Sequence, residues 1–453
     1  MISHAMVREA VLKPRYKLNR ITYNKLARTR SITLCLGLFL ITTLVLSSLS
    51  TSIFNLQNQA LAQQYIPTVK SRNLVIDLGN GVKTKAQLTY PAIGKGPFPG
   101  VLLIHGSGAS DKNETLGFVY KNGPKPTTPF WQIAQYLSER GFVVLRYDKR
   151  GIGANWTINQ NVWGNATVNN LIHDAEKALN VLSMQPEVDP KRMSVIGHSE
   201  GTVITPRVAI DNPTKVKNII LMGTVAQNLI RDILRYQVVD LNSEYAAKVL
   251  DKNHTGSISI KQIPNDPMLG PYLVSSSILD TNDTKAIIKN LVDKFGTTGH
   301  ISIQKQIRPA LIKYYENQSA FNLSKCNQIR GCPVWIGSES SLTPTLSVIG
   351  NVSKSTGVLL LNGENDSATP LQQTFLLQQR LAEVNHPDHT LITYPNLGHD
   401  FHPSPQWFAE NGPIEPYVLA DLYAWLGAHS GFTNHASAEA RLTATPSSNS
   451  TVK

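Results

Sequence analysis

Along most of the chain, short runs of uninterrupted apolar residues alternate with longer segments whose apolar residues recur every three to four positions. "VLLIHGSG" (101–108), "FVVLRYDKRGIG" (142–153), "RMSVIG" (192–197), "KNIILMG" (217–223) and "TGVLLLNG" (356–363) are of the first kind, each running into glycine. A run that is apolar on both side-chain faces reads as a strand buried between two layers. "FWQIAQYLSERG" (130–141), "NNLIHDAEKALNVLSMQ" (169–185), "LQQTFLLQQRLAEV" (371–384) and "YVLADLYAWLGAH" (417–429) are of the second kind and read as helices. This alternation is what a parallel sheet with right-handed crossovers requires. Ahead of it, Gly79-Asn80-Gly81 between "RNLVIDL" and "VKTKAQLTYP" predicts a hairpin.

The rhythm stops after Met222 and resumes near Thr356, so residues 228–350 read as a mostly helical insertion between two sheet strands. The expected fold class is α/β, a mostly parallel sheet flanked by helices. Its core comprises residues 63–227 and 351–430, and a Ser-, Thr- and Ala-rich tail, 431–453, is expected to be disordered.

The net charge of +12 first invites a nucleic-acid reading. Most of it is terminal: Arg8, Lys13, Arg15, Lys17, Arg20, Lys25, Arg28 and Arg30 stand against Glu9 alone within the first 30 residues. No basic cluster interleaved with aromatics occurs elsewhere, so no nucleic-acid partner is expected. The basic stretch leads into "SITLCLGLFLITTLVLSSLS", and no further charge appears before Lys70. Residues 1–62 therefore read as a secretory signal, with Ala60-Leu61-Ala62 preceding Gln63, or as an uncleaved anchor engaging the membrane. Either reading makes the protein secreted or membrane-anchored, with its folded part outside the cytoplasm. Cys326 and Cys332 could close a short disulfide loop there, or remain free thiols; Asn155, Asn165, Asn253 and Asn322 stand in glycosylation sequons.

The candidate chemistry begins at "SVIGHSEGT" (194–202). At average composition GxSxG arises by chance in roughly one chain of this length in seven, so its context must decide. Ser199 follows the predicted strand "RMSVIG" and precedes "GTVITPRVAIDNP" (201–213), which reads as a helix, as a nucleophile on a sharp strand-to-helix turn must. A serine hydroxyl needs a base, and the base needs a carboxylate. "YPNLGHDFH" offers His399 and "LNGENDSATP" offers Asp366, completing the chain order Ser, Asp, His; Glu364 and His402 are fallbacks. Asp148 in "RYDKRG" reads as a structural carboxylate. The oxyanion donors expected are the N–H of Glu200, next to the serine, and the N–H of Ser107 in "HGSG".

"GPFPGVLLIHGSGASDKNE", "LRYDKRGIGANW", "PEVDPKRMSVIGHSEGTVITP" and "LLLNGENDSATP" resemble the α/β-hydrolase superfamily, specifically EstD-like esterases and serine aminopeptidase-type hydrolases. The resemblance implies an α/β-hydrolase fold with the insertion as a helical lid. It further implies a carboxylic ester hydrolase using Ser199, Asp366 and His399, with a small-molecule ester as substrate and no required cofactor. The elbow departs from the family's usual GHSEGG at Thr202. A serine peptidase on the same residues and a non-catalytic binding protein are the alternatives.

Inside the insertion, "DKNHTGSISIKQ" resembles an EF-hand loop, with Asp251, Asn253 and Thr255 at positions one, three and five as a sparse Ca²⁺ ligand set; Gln262 replaces the bidentate glutamate. A looser echo follows in "LVDKFGTTGHISIQKQI". The pair reads as a decayed EF-hand module.

Overall fold

The computed structural model describes residues 68–116, 126–153, 157–274, 283–325, 334–408 and 411–431. Eight strands build one sheet: β1 (Val69–Gly79), β2 (Val82–Pro91), β3 (Phe98–Ile104), β4 (Val143–Tyr147), β5 (Val188–His198), β6 (Val216–Met222), β9 (Gly357–Gly363) and β10 (His389–Tyr394), in the order β1-β2-β4-β3-β5-β6-β9-β10. The hairpin β1–β2 and the pair β2–β4 are antiparallel, and every later pairing is parallel. The hairpin turns where Asn80 and Gly81 both take positive φ (53° and 75°), as a twisted two-residue connection demands.

The uninterrupted apolar runs follow from the pleat. In β3, Leu102 and Ile104 join one core layer while Val101 and Leu103 join the other. The same division splits Ile219 and Leu221 from Ile220 and Met222 in β6, and Val358 and Leu360 from Leu359 and Leu361 in β9. Each such side chain is almost completely buried and contributes roughly 1.5–3 kcal/mol. One layer is covered by α2 (Val168–Ser183) and α3 (Gly201–Asp211), the other by α1 (Pro129–Ser138) and α7 (Pro416–His429). Helix α2 starts from a capping box in which Thr167 and Asn170 satisfy each other's N–H groups.

Between β6 and β9 lie helical turns over 229–250, a two-stranded ribbon of β7 (Ser257–Ser259) and β8 (His300–Ser302), and the helices α4 (Thr284–Phe295), α5 (Arg308–Lys325) and α6 (Trp335–Ser341). Ile258 faces Ile301 across the ribbon, and both belong to a separate apolar cluster with Val239, Leu269, Leu291 and Leu311. The two echoed loops thus pair back to back. Among the described residues no helix is long and apolar enough to cross a membrane.

Candidate active site

Strand β5 delivers Ser199 into a left-handed backbone conformation, φ +54°, which a side-chain-bearing residue adopts only when its surroundings enforce it. The enforcement is visible. The Ser199 N–H donates to the Met222 carbonyl at 2.9 Å, tying the turn to the end of β6. A Cβ on Gly201 would lie 2.2 Å from the Ile104 carbonyl oxygen, and one on Gly197 would lie 2.3 Å from the Gly201 oxygen. Both glycines are therefore required by the sharpness of the turn. Thr202 also has a role here: its hydroxyl donates to the Ser199 carbonyl (2.6 Å) and accepts from the Val225 N–H (2.9 Å).

The loop after β10 carries His399 and the loop after β9 carries Asp366, and the two meet with Nδ1 2.8 Å from Oδ2. Asp366 is held in place by the N–H groups of Ala368 and Thr369 on Oδ1 and the Thr369 hydroxyl on Oδ2. Both side chains are buried. With Nδ1 directed at the carboxylate, Nε2 is the nitrogen left to accept a proton; it is buried and has no hydrogen-bond partner among the described residues. The Ser199 hydroxyl is thus not bonded to it in this state, and such bonds tighten when substrate fills the site. Gly223, at the exit of β6, approaches so closely that a Cβ there would stand 3.0 Å from His399 Cε1.

The loop after β3 passes directly beside the serine, since a Cβ on Gly106 would fall 3.0 Å from Ser199 Cβ. Among the described residues neither the Ser107 nor the Glu200 N–H donates to another backbone carbonyl. The Glu200 N–H lies at the start of α3, where partial positive charge gathers.

Charged side chains that the sequence did not single out surround this centre. His198 lies between the Glu114 carboxylate (Nδ1–Oε1 3.1 Å) and the His399 carbonyl (Nε2–O 3.2 Å). Burial pulls its pKa down, but the Glu114 charge and hydrogen bond, joined by the Asp400 charge and the His399 carbonyl, together raise it to about 9, making His198 an imidazolium that donates from both nitrogens. Glu114 Oε1 also accepts the Gly106 N–H. On the other side of the serine, Glu200 is fully buried and bonded to Lys149 Nζ at 2.8 Å; the same ammonium donates to the Gly106 carbonyl. Glu339, from α6 of the insertion, faces Glu200; burial and then the Glu200 charge push its pKa well up, so the proton it retains bonds the pair. His105, buried between the rings of Phe130 and Tyr147, is pulled down to about 4 by burial and then by the Lys149 charge, and is neutral. No periodicity announces these residues, because each pair joins segments far apart in sequence.

The fallback residues stand elsewhere. Glu364 is exposed and accepts from the Thr393 hydroxyl, and His402 pairs with the Pro413 carbonyl. Asp148 bonds the turn, accepting the Lys112 N–H at 2.7 Å. Residues 1–62, Asn155, Cys326, Cys332, the Asn322 side chain and the tail from 432 lie outside the described residues; Asn165 and Asn253 are exposed.

The calcium candidates Asp251, Asn253 and Thr255 share one loop, and Asp251 is bonded within it. Asp251 spends both oxygens on its own loop, Oδ1 on the Thr255 N–H (3.0 Å) and Oδ2 on the Gly256 N–H (2.6 Å). Gln262 closes the loop with its amide, accepting the Ser259 N–H (2.8 Å) and donating to the Leu250 carbonyl (3.3 Å). Gln306 repeats this in the second loop, with the Ser302 N–H (2.9 Å) and the Phe295 carbonyl (3.0 Å). One carboxylate and an amide at position twelve supply little negative charge for a cation that takes six to eight oxygens.

Strand order, the strained serine between β5 and α3, and a carboxylate and histidine in the loops after β9 and β10 define an α/β hydrolase, and the chain has that fold. Residues 128–263 match the family described as serine aminopeptidase S33, and residues 336–433 match the prolyl oligopeptidase family. The chain is 34% identical over 224 residues to Esterase EstD of Thermotoga maritima, covering 47% of each, and 26% identical over 172 residues to Esterase FrsA of Yersinia pestis, covering 37% of this chain and 35% of that one. It thus spans about half the length, or less, of these curated relatives. A proline iminopeptidase structure from Mycobacterium smegmatis aligns at 15% identity and a TM-score of 0.47, over 79% of this chain and 99% of that one.

Proposed function

We propose that the chain is a serine hydrolase that cleaves carboxylic esters through an acyl-enzyme. The observation that carries this reading is the left-handed Ser199 at the head of α3, beside a buried His399 already oriented by Asp366. In this reading Ser199 Oγ attacks the acyl carbon while His399 Nε2 takes its proton. The carbonyl oxygen becomes an oxyanion held by the N–H groups of Ser107 and Glu200. His399 then passes the proton to the leaving alcohol, and water repeats the sequence to release the acid. Asp366 keeps the imidazole in the tautomer that can do this. The relatives named as esterases support ester over amide chemistry. The N-terminal pattern supports an exported or membrane-anchored enzyme; a mature N-terminus at Gln63 marks cleavage, and full-length protein in the soluble cytoplasmic fraction contradicts both readings.

The test is a panel of p-nitrophenyl esters of graded acyl length beside aminoacyl anilides. Turnover of the esters is expected. Anilide turnover exceeding that of every ester points to a peptidase, and a folded protein inert on both contradicts an enzymatic role.

A further inference from the structure

The two residues flanking Ser199 each carry a buried ionic group, and the partner of each reaches the same residue on the neighbouring loop. His198 pairs with Glu114, which holds the Gly106 N–H; Glu200 pairs with Lys149, which holds the Gly106 carbonyl. All four side chains are buried. We propose that Lys149 is a positioning residue for the oxyanion site, fixing both N–H donors through one ammonium bonded to the Gly106 carbonyl and the Glu200 carboxylate. The proposal rests on the reading of Ser199 as nucleophile with Ser107 and Glu200 as donors.

Gly106 O and Ser107 N–H belong to one trans peptide, so they point in opposite directions; an ammonium that fixes the carbonyl also fixes where the N–H points. A charge on the carbonyl polarises the amide and strengthens its N–H as a donor. Glu200 supplies the second N–H, and its side chain is anchored on the same nitrogen. Lys149 is itself held rigidly by its neighbours. Its own N–H donates to the Ser110 carbonyl (3.0 Å), and the next residue, Arg150, is bidentate on Asp174 of α2 (2.7 and 2.6 Å). A role in stability alone accounts poorly for the arrangement, because buried ion pairs add little stability over apolar residues of similar size.

The test uses the full chain carrying Lys149→Met with Glu200→Gln, which removes both charges together and strands neither. Measured are the melting temperature, kcat and KM on p-nitrophenyl acetate, and the affinity of a trifluoromethyl ketone, which binds serine hydrolases as an oxyanion. The expected result is a folded variant with KM nearly unchanged, kcat lower by about 10²-fold, and ketone affinity lower in proportion. A folded variant with undiminished kcat overturns the proposal, as does a loss of kcat that only tracks the unfolded fraction. Wild-type protein that neither turns over esters nor reacts with a fluorophosphonate at Ser199 overturns instead the reading beneath it.

Discussion

His105 and His198 begin from the same ordinary pKa of 6.5, and the fold drives them apart, to about 4 and about 9. Linkage fixes the sign of each effect. His198 holds its proton more tightly when folded, so its contribution is complete below pH 6.5 and is lost as pH rises through about 9. His105 is neutral when folded, so stability falls as pH drops from 6.5 through about 4. Thermal melts between pH 4 and 9 are expected to show both limbs, and His198→Asn to flatten the alkaline one. An alkaline limb unchanged in that variant contradicts the assignment of His198 as an imidazolium. These residues also mark where sequence reading stops. Ser199, Asp366 and His399 were legible from turn glycines and from their order after apolar strands. Glu114 and Lys149 were not, because their partners lie 84 and 51 residues away and a single ion pair leaves no pattern along the chain.

At the scale of elements, the strands were legible because burial on two faces demands consecutive apolar residues, and helices such as α2 because one face remains polar. The elbow was legible in kind but incomplete in detail. Thr202 reads in sequence only as a departure from the usual glycine, whereas its hydroxyl joins the first turn of α3 to the chain leaving β6. Thr202→Val keeps the shape and leaves the buried Val225 N–H without its acceptor. Urea unfolding should show a loss of about 1–3 kcal/mol, the cost of one unsatisfied buried donor. No loss at all shows that the N–H finds another partner.

For the molecule as a whole, the insertion is both an attached module and a participant. Its apolar cluster is its own, yet Glu339 reaches the residue beside the nucleophile, and Gln237 donates to the Ala368 carbonyl in the Asp366 loop (2.7 Å). The EF-hand likeness was legible in spacing, but only side-chain contacts show that glutamine amides close both loops. Treatment with a chelator is therefore expected to leave the melting temperature and the acyl-length profile unchanged, while Gln262→Ala lowers the melting temperature. A chelator-induced drop in melting temperature that added Ca²⁺ restores contradicts the amide closure as the device that holds the loops.

The central claim is that Ser199 is the nucleophile, and it is tested most directly by mapping the adduct of a fluorophosphonate probe by mass spectrometry. Wild-type protein should carry the adduct on Ser199, and Ser199→Ala should lose both labelling and ester turnover, kcat falling by about 10⁴-fold or more. An adduct on a different serine, or a folded Ser199→Ala variant that still turns over p-nitrophenyl acetate at the wild-type rate, contradicts it.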